Sequence, residues 1–190
     1  MLTVIIPTNE SERPLVRTLA CLVSGVTAGL VRDVILADAG STDETSKVAD
    51  VAGCGFMRVP GPLGQRLRTA AASARGDWLM FLRPGTVLEA AWVGETLRFI
   101  EQANMEEEPR AACFRRMARA VPQGAALREA GRIIRGAFGA PRPEQGLIIA
   151  KRVYERLGGH SDKGPNPESD LIRELGRRRI VILQAGASQS

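Results

Sequence analysis

The chain has 190 residues, 44% of them hydrophobic, enough for one domain whose core buries roughly 70% of the surface exposed on unfolding. Its formal charge of +5 directs attention to anionic partners: phosphorylated small molecules, nucleic acid or an acidic membrane surface. Nucleic acid is set aside, because only 4% of residues are aromatic and none of the nucleic-acid motifs occurs. Cys21, Cys54 and Cys113 are odd in number and follow no metal-ligand spacing, so buried, reduced thiols and a cytoplasmic location are expected. The first residues carry no basic leader, and no run approaches the roughly 20 apolar residues of a membrane span. A soluble protein is expected, with membrane-surface association not favoured.

In chain order, residues 2–6 read as a buried strand. From Ser11 onward Leu15, Leu19, Leu22 and Val26 form a helical stripe, with Pro14 acceptable in the first turn. Residues 34–37 predict a second strand. Ser41 followed three residues later by Glu44 is the signature of a capping box at a helix start. Strands are predicted over 55–59 and 78–82, with an alanine-rich helix over 67–75 between them. Further on, a helix over 90–103 places Trp92, Val93, Thr96, Leu97 and Ile100 on one face, and residues 106–109 read as a charged loop. Strands at 111–114 and 146–150, a basic helix at 125–135 and a short helix at 151–157 closed by Gly158-Gly159 follow. A helix over 167–178 and a strand over 180–183 complete the pattern. Strands separated by helices imply right-handed crossovers and a mostly parallel sheet covered on both faces.

In such a sheet the ligand crevice lies beyond the carboxyl ends of the strands. Pro7-Thr8-Asn9-Glu10 and Asp38-Ala39-Gly40-Ser41-Thr42-Asp43 both occupy that position. The second stretch reads equally as a ligand site and as a well-capped strand-to-helix turn. Neither a G-x-G-x-x-G dinucleotide fingerprint nor a G-x-x-x-x-G-K-[ST] phosphate loop is present.

Residues 4–10, residues 34–43 and Ala74-Arg75-Gly76-Asp77-Trp78-Leu79-Met80-Phe81-Leu82 resemble successive blocks of the family 2 glycosyltransferases of the GT-A fold. The likeness continues through Glu144-Gln145-Gly146, Leu157-Gly158-Gly159-His160 and Glu168-Ser169-Asp170-Leu171. The resemblance implies one α/β, GT-A-like domain, with a nucleotide half to residue 86 and an acceptor half over 87–190. It also implies roles. Pro7, Thr8 and Glu10 would border the nucleotide, in a block one residue shorter than the usual P-T-x-N-E. Asp38 would contact the base, with Gly40 in the same turn, while Arg66 and Arg68 approach the donor from the next helix. Glu144, Gln145 and His160 would lie on the acceptor side. Read as residues alone, Arg66 and Arg68 are equally solvated helix arginines, and His160 is a loop or partial-core histidine in preference to a catalytic one.

One block departs from the family. Where its members carry the acidic D-x-D or H-A-D motif that binds magnesium or manganese, this chain has Arg83-Pro84-Gly85-Thr86. Hard cations require oxygen ligands, so no metal is expected there. Arg83 offers a permanent cation with a planar fork suited to phosphate, or simply a surface residue in a Pro-Gly turn. Glu168 is the preferred general base of an inverting transfer and Asp170 the second choice; both equally suit a helix N-terminus. The implied function is glycosyl transfer from a nucleotide-sugar donor to an unknown acceptor without a metal. A catalytically inactive nucleotide- or nucleotide-sugar-binding protein on the same fold is the alternative, and a nucleotidyltransferase a distant third.

Overall fold

Apolar runs at the chain start and around residue 80 set the centre of the fold. In the computed structural model, which describes residues 1–117, 141–162 and 164–189, β1 spans Leu2–Thr8 and β4 spans Trp78–Phe81, and both are almost wholly buried. They pair in parallel, Ile5 opposite Phe81. Strands buried on both faces have no solvent side and so lose the polar alternation of a half-exposed strand. β1 also pairs in parallel with β2 (Val31–Asp38), whose outer neighbour is β3 (Gly55–Arg58).

Helices α1 (Glu12–Thr27) and α2 (Thr45–Val51) carry the chain outward from β1 to β3, and α3 (Leu63–Ser73) brings it back to β4. Right-handed crossovers running in opposite directions place their helices on opposite faces; α1 meets α2, while α3 packs on β1 and β2. The buried face of α1 is Leu15, Thr18, Leu22 and Gly25. Val26, expected in that stripe, is 54% exposed. Gly25 takes the inner position instead, because a Cβ there would lie 2.3 Å from the Trp92 ring.

Beyond β4 the chain adds β5 (Thr86–Leu88), α4 (Trp92–Asn104), β6 (Ala111–Arg116), β7 (Leu147–Ala150), α5 (Lys151–Arg156), α6 (Pro167–Leu175) and β8 (Ile180–Gln189). Among the described residues the eight strands form one sheet in the order β3-β2-β1-β4-β7-β6-β8-β5. β7 is antiparallel to β4 and β6, β6 is parallel to β8, and β5 closes the edge antiparallel to β8.

Three expectations change. The three-residue β5 is too short to leave a periodic signal. The helix expected over 167–178 stops at Leu175, because Gly176 (φ 76°) ends it and a single 3-10 turn, Arg177–Arg179, follows. The last strand runs to Gln189, not residue 183. The basic helix expected at 125–135 lies outside the described residues. Among those described, no helix is long and apolar enough to cross a membrane, and the three cysteines are free thiols.

Candidate functional site

The chain steps from β1 to β2 on one side and later to β4 on the other, so β1 and β4 flank a topological switch point. Open α/β sheets bind ligands at the carboxyl ends of the strands beside such a point. Two loops from β1 and β2 and the turn after β4 meet there.

Asp38 ends β2 with no solvent exposure. Its Oδ1 accepts the hydroxyls of Thr8 (2.8 Å) and Ser41 (2.6 Å), and its Oδ2 accepts the backbone N–H groups of Gly40 and Ser41, both at 2.7 Å. Burial raises the pKa of this carboxyl, but the hydrogen bonds from Ser41, Thr8 and Gly40 outweigh it and hold the group below its ordinary value. Direct contact between this carboxylate and a base would require breaking the turn it organises. Gly40 follows at φ 115°, a conformation that only glycine adopts freely.

The capping box expected at Ser41 and Glu44 does not form. Ser41 turns its hydroxyl to Asp38 and to the Glu10 N–H (2.8 Å), and α2 starts at Thr45. Capping is done across the two loops. Glu10 accepts the N–H groups of Thr42 (2.8 Å) and Asp43 (3.2 Å), while Asp43 accepts those of Glu12 (3.1 Å) and Thr45 (3.0 Å). Glu10 itself sits at φ 48°. Pro7 lies within β1 opposite Ala37.

Arg66 on α3 reaches under this floor, donating to the carbonyls of Thr8 (3.0 Å) and Ala37 (3.2 Å). Burial lowers its pKa against the opposing pull of Asp38, and its buried Nε has no partner among the described residues. Arg68, on the same helix, donates to the His160 carbonyl and pairs with Asp162. It ties α3 to the loop after α5.

The turn after β4 carries the strongest charge arrangement. Arg83 to Thr86 closes with a bond from the Thr86 N–H to the Arg83 carbonyl (3.0 Å), Pro84 and Gly85 (φ 89°) fitting the two central positions of a type II turn. From there Arg83 Nε donates to both Glu168 oxygens (3.0 and 3.3 Å), Nη2 donates to Glu168 Oε2, and Nη1 donates to Glu144 (3.3 Å). The bond to Glu168 raises the Arg83 pKa against the effect of burial, with the charges of Glu168 and Glu144 adding to it. Glu168 stands in the first turn of α6 after Pro167, and Glu144 in a 3-10 turn, Pro143–Gln145. Side-chain exposure is 35% for Arg83, 42% for Glu144 and 9% for Glu168.

The remaining residues expected on the acceptor side are held elsewhere. Asp170 pairs with Arg173 on its own helix. Gln145 is buried, accepting the Arg142 N–H (2.9 Å) and donating to the Phe114 carbonyl (2.7 Å). His160 is 1% exposed and lies in the core, its ring against Phe81 and Tyr154. The Tyr154 hydroxyl and His160 Nδ1 are hydrogen-bonded at 2.8 Å, and the Tyr154 oxygen also accepts the His160 backbone N–H (3.3 Å). Burial, with the nearby Arg68 charge, pushes the His160 pKa down to about 3. Sequence reasoning passed over Tyr154, Asp162 and Arg58, whose Nη2 donates to the Ser41 carbonyl (3.0 Å). Each acts through a partner distant or unrelated in sequence pattern, and no local signal marks it.

A divalent ion does not fit this arrangement. The Arg83 guanidinium, itself a cation, already pairs with Glu144 and Glu168, and among the described residues no group of three or more His, Cys, Asp or Glu side chains could hold a metal.

Comparison with curated proteins finds no sequence match. Among solved structures the chain is similar to S. aureus TarS 1-349, at 16% identity and TM-score 0.68 over 98% of this chain and 60% of that one. It is similar to glucosyl-3-phosphoglycerate synthase from Mycobacterium tuberculosis in complex with Mn2+, UDP and glucosyl-3-phosphoglycerate, at 17% identity and TM-score 0.67, covering 100% and 72% of the two chains. It is also similar to the mannosyltransferase PcManGT from Pyrobaculum calidifontis in complex with GDP-Man and Mn2+, at 15% identity and TM-score 0.69, covering 96% and 54%. At these identities the likeness is one of fold, and the chain spans between 54% and 72% of their lengths. The family model described as glycosyl transferase family 2 matches residues 3–120. With more than half of its length covered by that match and the GT-A fold in common with these enzymes, the chain belongs to glycosyl transferase family 2.

Proposed function

We propose that this protein transfers a sugar from a nucleotide-sugar to an acceptor hydroxyl with inversion, using Arg83 where relatives use a metal ion. The observation that carries the reading is the placement of Arg83 just after β4, half-buried and paired with two carboxylates from the later half of the chain. In this reading residues 1–86 form the donor half. The Asp38 turn, with Pro7, Thr8, Glu10, Gly40 and Arg66, shapes the nucleotide crevice. Residues 87–190 form the acceptor half, with Glu144 and Asp170 at its border. Arg68 and His160 hold the two halves in register, and Gln145 is fixed within the acceptor half by Arg142 and Phe114.

The acceptor oxygen attacks the anomeric carbon as the bond from that carbon to the diphosphate oxygen breaks. Its proton passes to Glu168, and the electron pair leaves on the diphosphate. A cation beside that oxygen acts where charge grows in the transition state.

A second reading, a nucleotide-binding protein without transfer activity, is favoured by one observation: Glu168 is engaged by Arg83. A thermal-shift panel of UDP, GDP, ADP and CDP with and without manganese tests both readings, since a ligand bound by the folded state raises the Tm. Stabilisation by one nucleotide without manganese, lost in Arg83→Ala, is expected. Turnover of the matching nucleotide-sugar then selects transfer over binding alone. No response to any nucleotide would overturn both.

A further inference from the structure

We infer that Arg83 is a latch: the donor's diphosphate draws it away from Glu168, and only then is Glu168 free to take the acceptor's proton. The inference rests on the glycosyl-transfer reading above and adds to it what occupies the base and what frees it.

A general base needs a lone pair within roughly 2.6–3.2 Å of the hydroxyl it deprotonates. Both Glu168 oxygens already accept from Arg83 Nε, and Oε2 also from Nη2. Glu168 is only 7% exposed, so an acceptor cannot approach it freely around the guanidinium. In this arrangement the base is occupied.

Arg83 is the movable member. It is 35% exposed, and its named bonds use three of the five N–H donors that a guanidinium carries. Its hold on Glu144 is a single contact of 3.3 Å to a carboxylate that is 42% exposed. Charge sets the direction of the exchange. Arg83, Glu144 and Glu168 together carry one positive and two negative charges, so a diphosphate meets a negative cluster while the latch is closed. Turning the fork toward the phosphates gives them a bidentate cation. It also leaves a nearly buried carboxylate without its partner, a costly state that the acceptor hydroxyl relieves by donating to it.

The latch therefore lowers apparent donor affinity by the fraction of molecules in which Arg83 is free to turn. Isothermal titration of UDP and GDP into the full chain, wild type, Glu168→Gln, Glu144→Gln and Arg83→Ala/Glu168→Gln, reads this directly. Glu168→Gln is expected to tighten the nucleoside diphosphate that binds on the order of tenfold, Glu144→Gln by roughly twofold, and the double variant to lose the gain. Should Glu168→Gln fail to fold, Glu144→Gln, at an exposed site, decides. Unchanged or weaker binding in the folded variants overturns the latch and leaves the transfer reading standing. Absence of binding by wild type and variants alike defeats the transfer reading itself.

Discussion

Glu10 and Asp43 cap each other's loops: Glu10 accepts the Asp43 N–H at 3.2 Å, and Asp43 accepts the N–H of Glu12, the first residue of α1, at 3.1 Å. The exchange locks the loops after β1 and β2 together at the floor of the crevice. It also holds Glu10 at φ 48°, where an L side chain is strained. Glu10→Ala and Asp43→Ala are each expected to lower the Tm, and the double variant to lower it by less than the sum, because residues of one network are not additive. Glu10→Gly deletes the same carboxylate yet relieves the backbone, so it should be more stable than Glu10→Ala by about 1–2 kcal/mol. Urea unfolding of the four variants checks the order.

Asp38 makes a separate case, because its four hydrogen bonds come from two hydroxyls and two amides. An asparagine can turn its oxygen to the Gly40 and Ser41 amides and its NH2 to the hydroxyls of Thr8 and Ser41, which then accept. Asp38→Asn is therefore expected to fold and to bind nucleotide within a few-fold of wild type. Asp38→Ala leaves buried donors unsatisfied and should cost about 3 kcal/mol or more. The depressed folded pKa of Asp38 gives stability that is present above about pH 4 and lost as pH falls further. Asp38→Asn should lack that acid loss. Loss of nucleotide binding in a folded Asp38→Asn would show that the carboxylate itself reads the base.

Much of this was legible from residue order, and the limits are physical. β1, β2 and β4 announce themselves because continuous apolar runs have one use in a parallel sheet. The Arg83 block stood out because it carries a cation where the resemblance leads one to expect carboxylates. Its pairing with Glu168, 85 residues away, has no local signature: α6 must first dock beside the end of β4. The failed capping box teaches the same point, since Ser41 and Glu44 have the right spacing, but Asp38 takes both the hydroxyl and the amide of Ser41 first. His160 was open between loop, core and catalysis, and only its enclosure by Phe81 and Tyr154 places it in the core.

Gly64 controls how closely α3, which carries Arg66 and Arg68, approaches the loop after α5. A Cβ there would lie 2.4 Å from the Ser161 carbonyl oxygen and 2.6 Å from Asp162 Oδ1, and backbone cannot swing aside as a flexible side chain can. Gly64→Ala is expected to cost about 1–3 kcal/mol, or roughly 2–4 °C in Tm per kcal/mol, and to loosen the Arg68–Asp162 pair. Gly94 in α4 is the control. A Cβ there meets nothing within 4 Å, so Gly94→Ala should stabilise by about 0.5–1 kcal/mol. Equal Tm shifts for the two variants would refute the close-packing account.

His160 is the only histidine in the chain, which makes its titration separable from every other group's. Buried and neutral, it has a folded pKa pushed down to about 3, against about 6.5 in an unfolded chain. Between these values the unfolded state binds a proton that the folded state refuses. Stability is therefore complete above pH 6.5 and falls as the solution is acidified toward pH 3, with a limiting slope of about 1.4 kcal/mol per pH unit. His160→Phe keeps an aromatic ring against Phe81 and Tyr154 and removes the titration. It is expected to be less stable than wild type at pH 8, where the Tyr154 hydroxyl loses its hydrogen-bond partner, but to lose little further stability between pH 6.5 and pH 5. Urea unfolding at half-unit pH steps distinguishes the two curves. Parallel slopes for wild type and variant across that interval would mean that His160 accepts its proton in the folded protein.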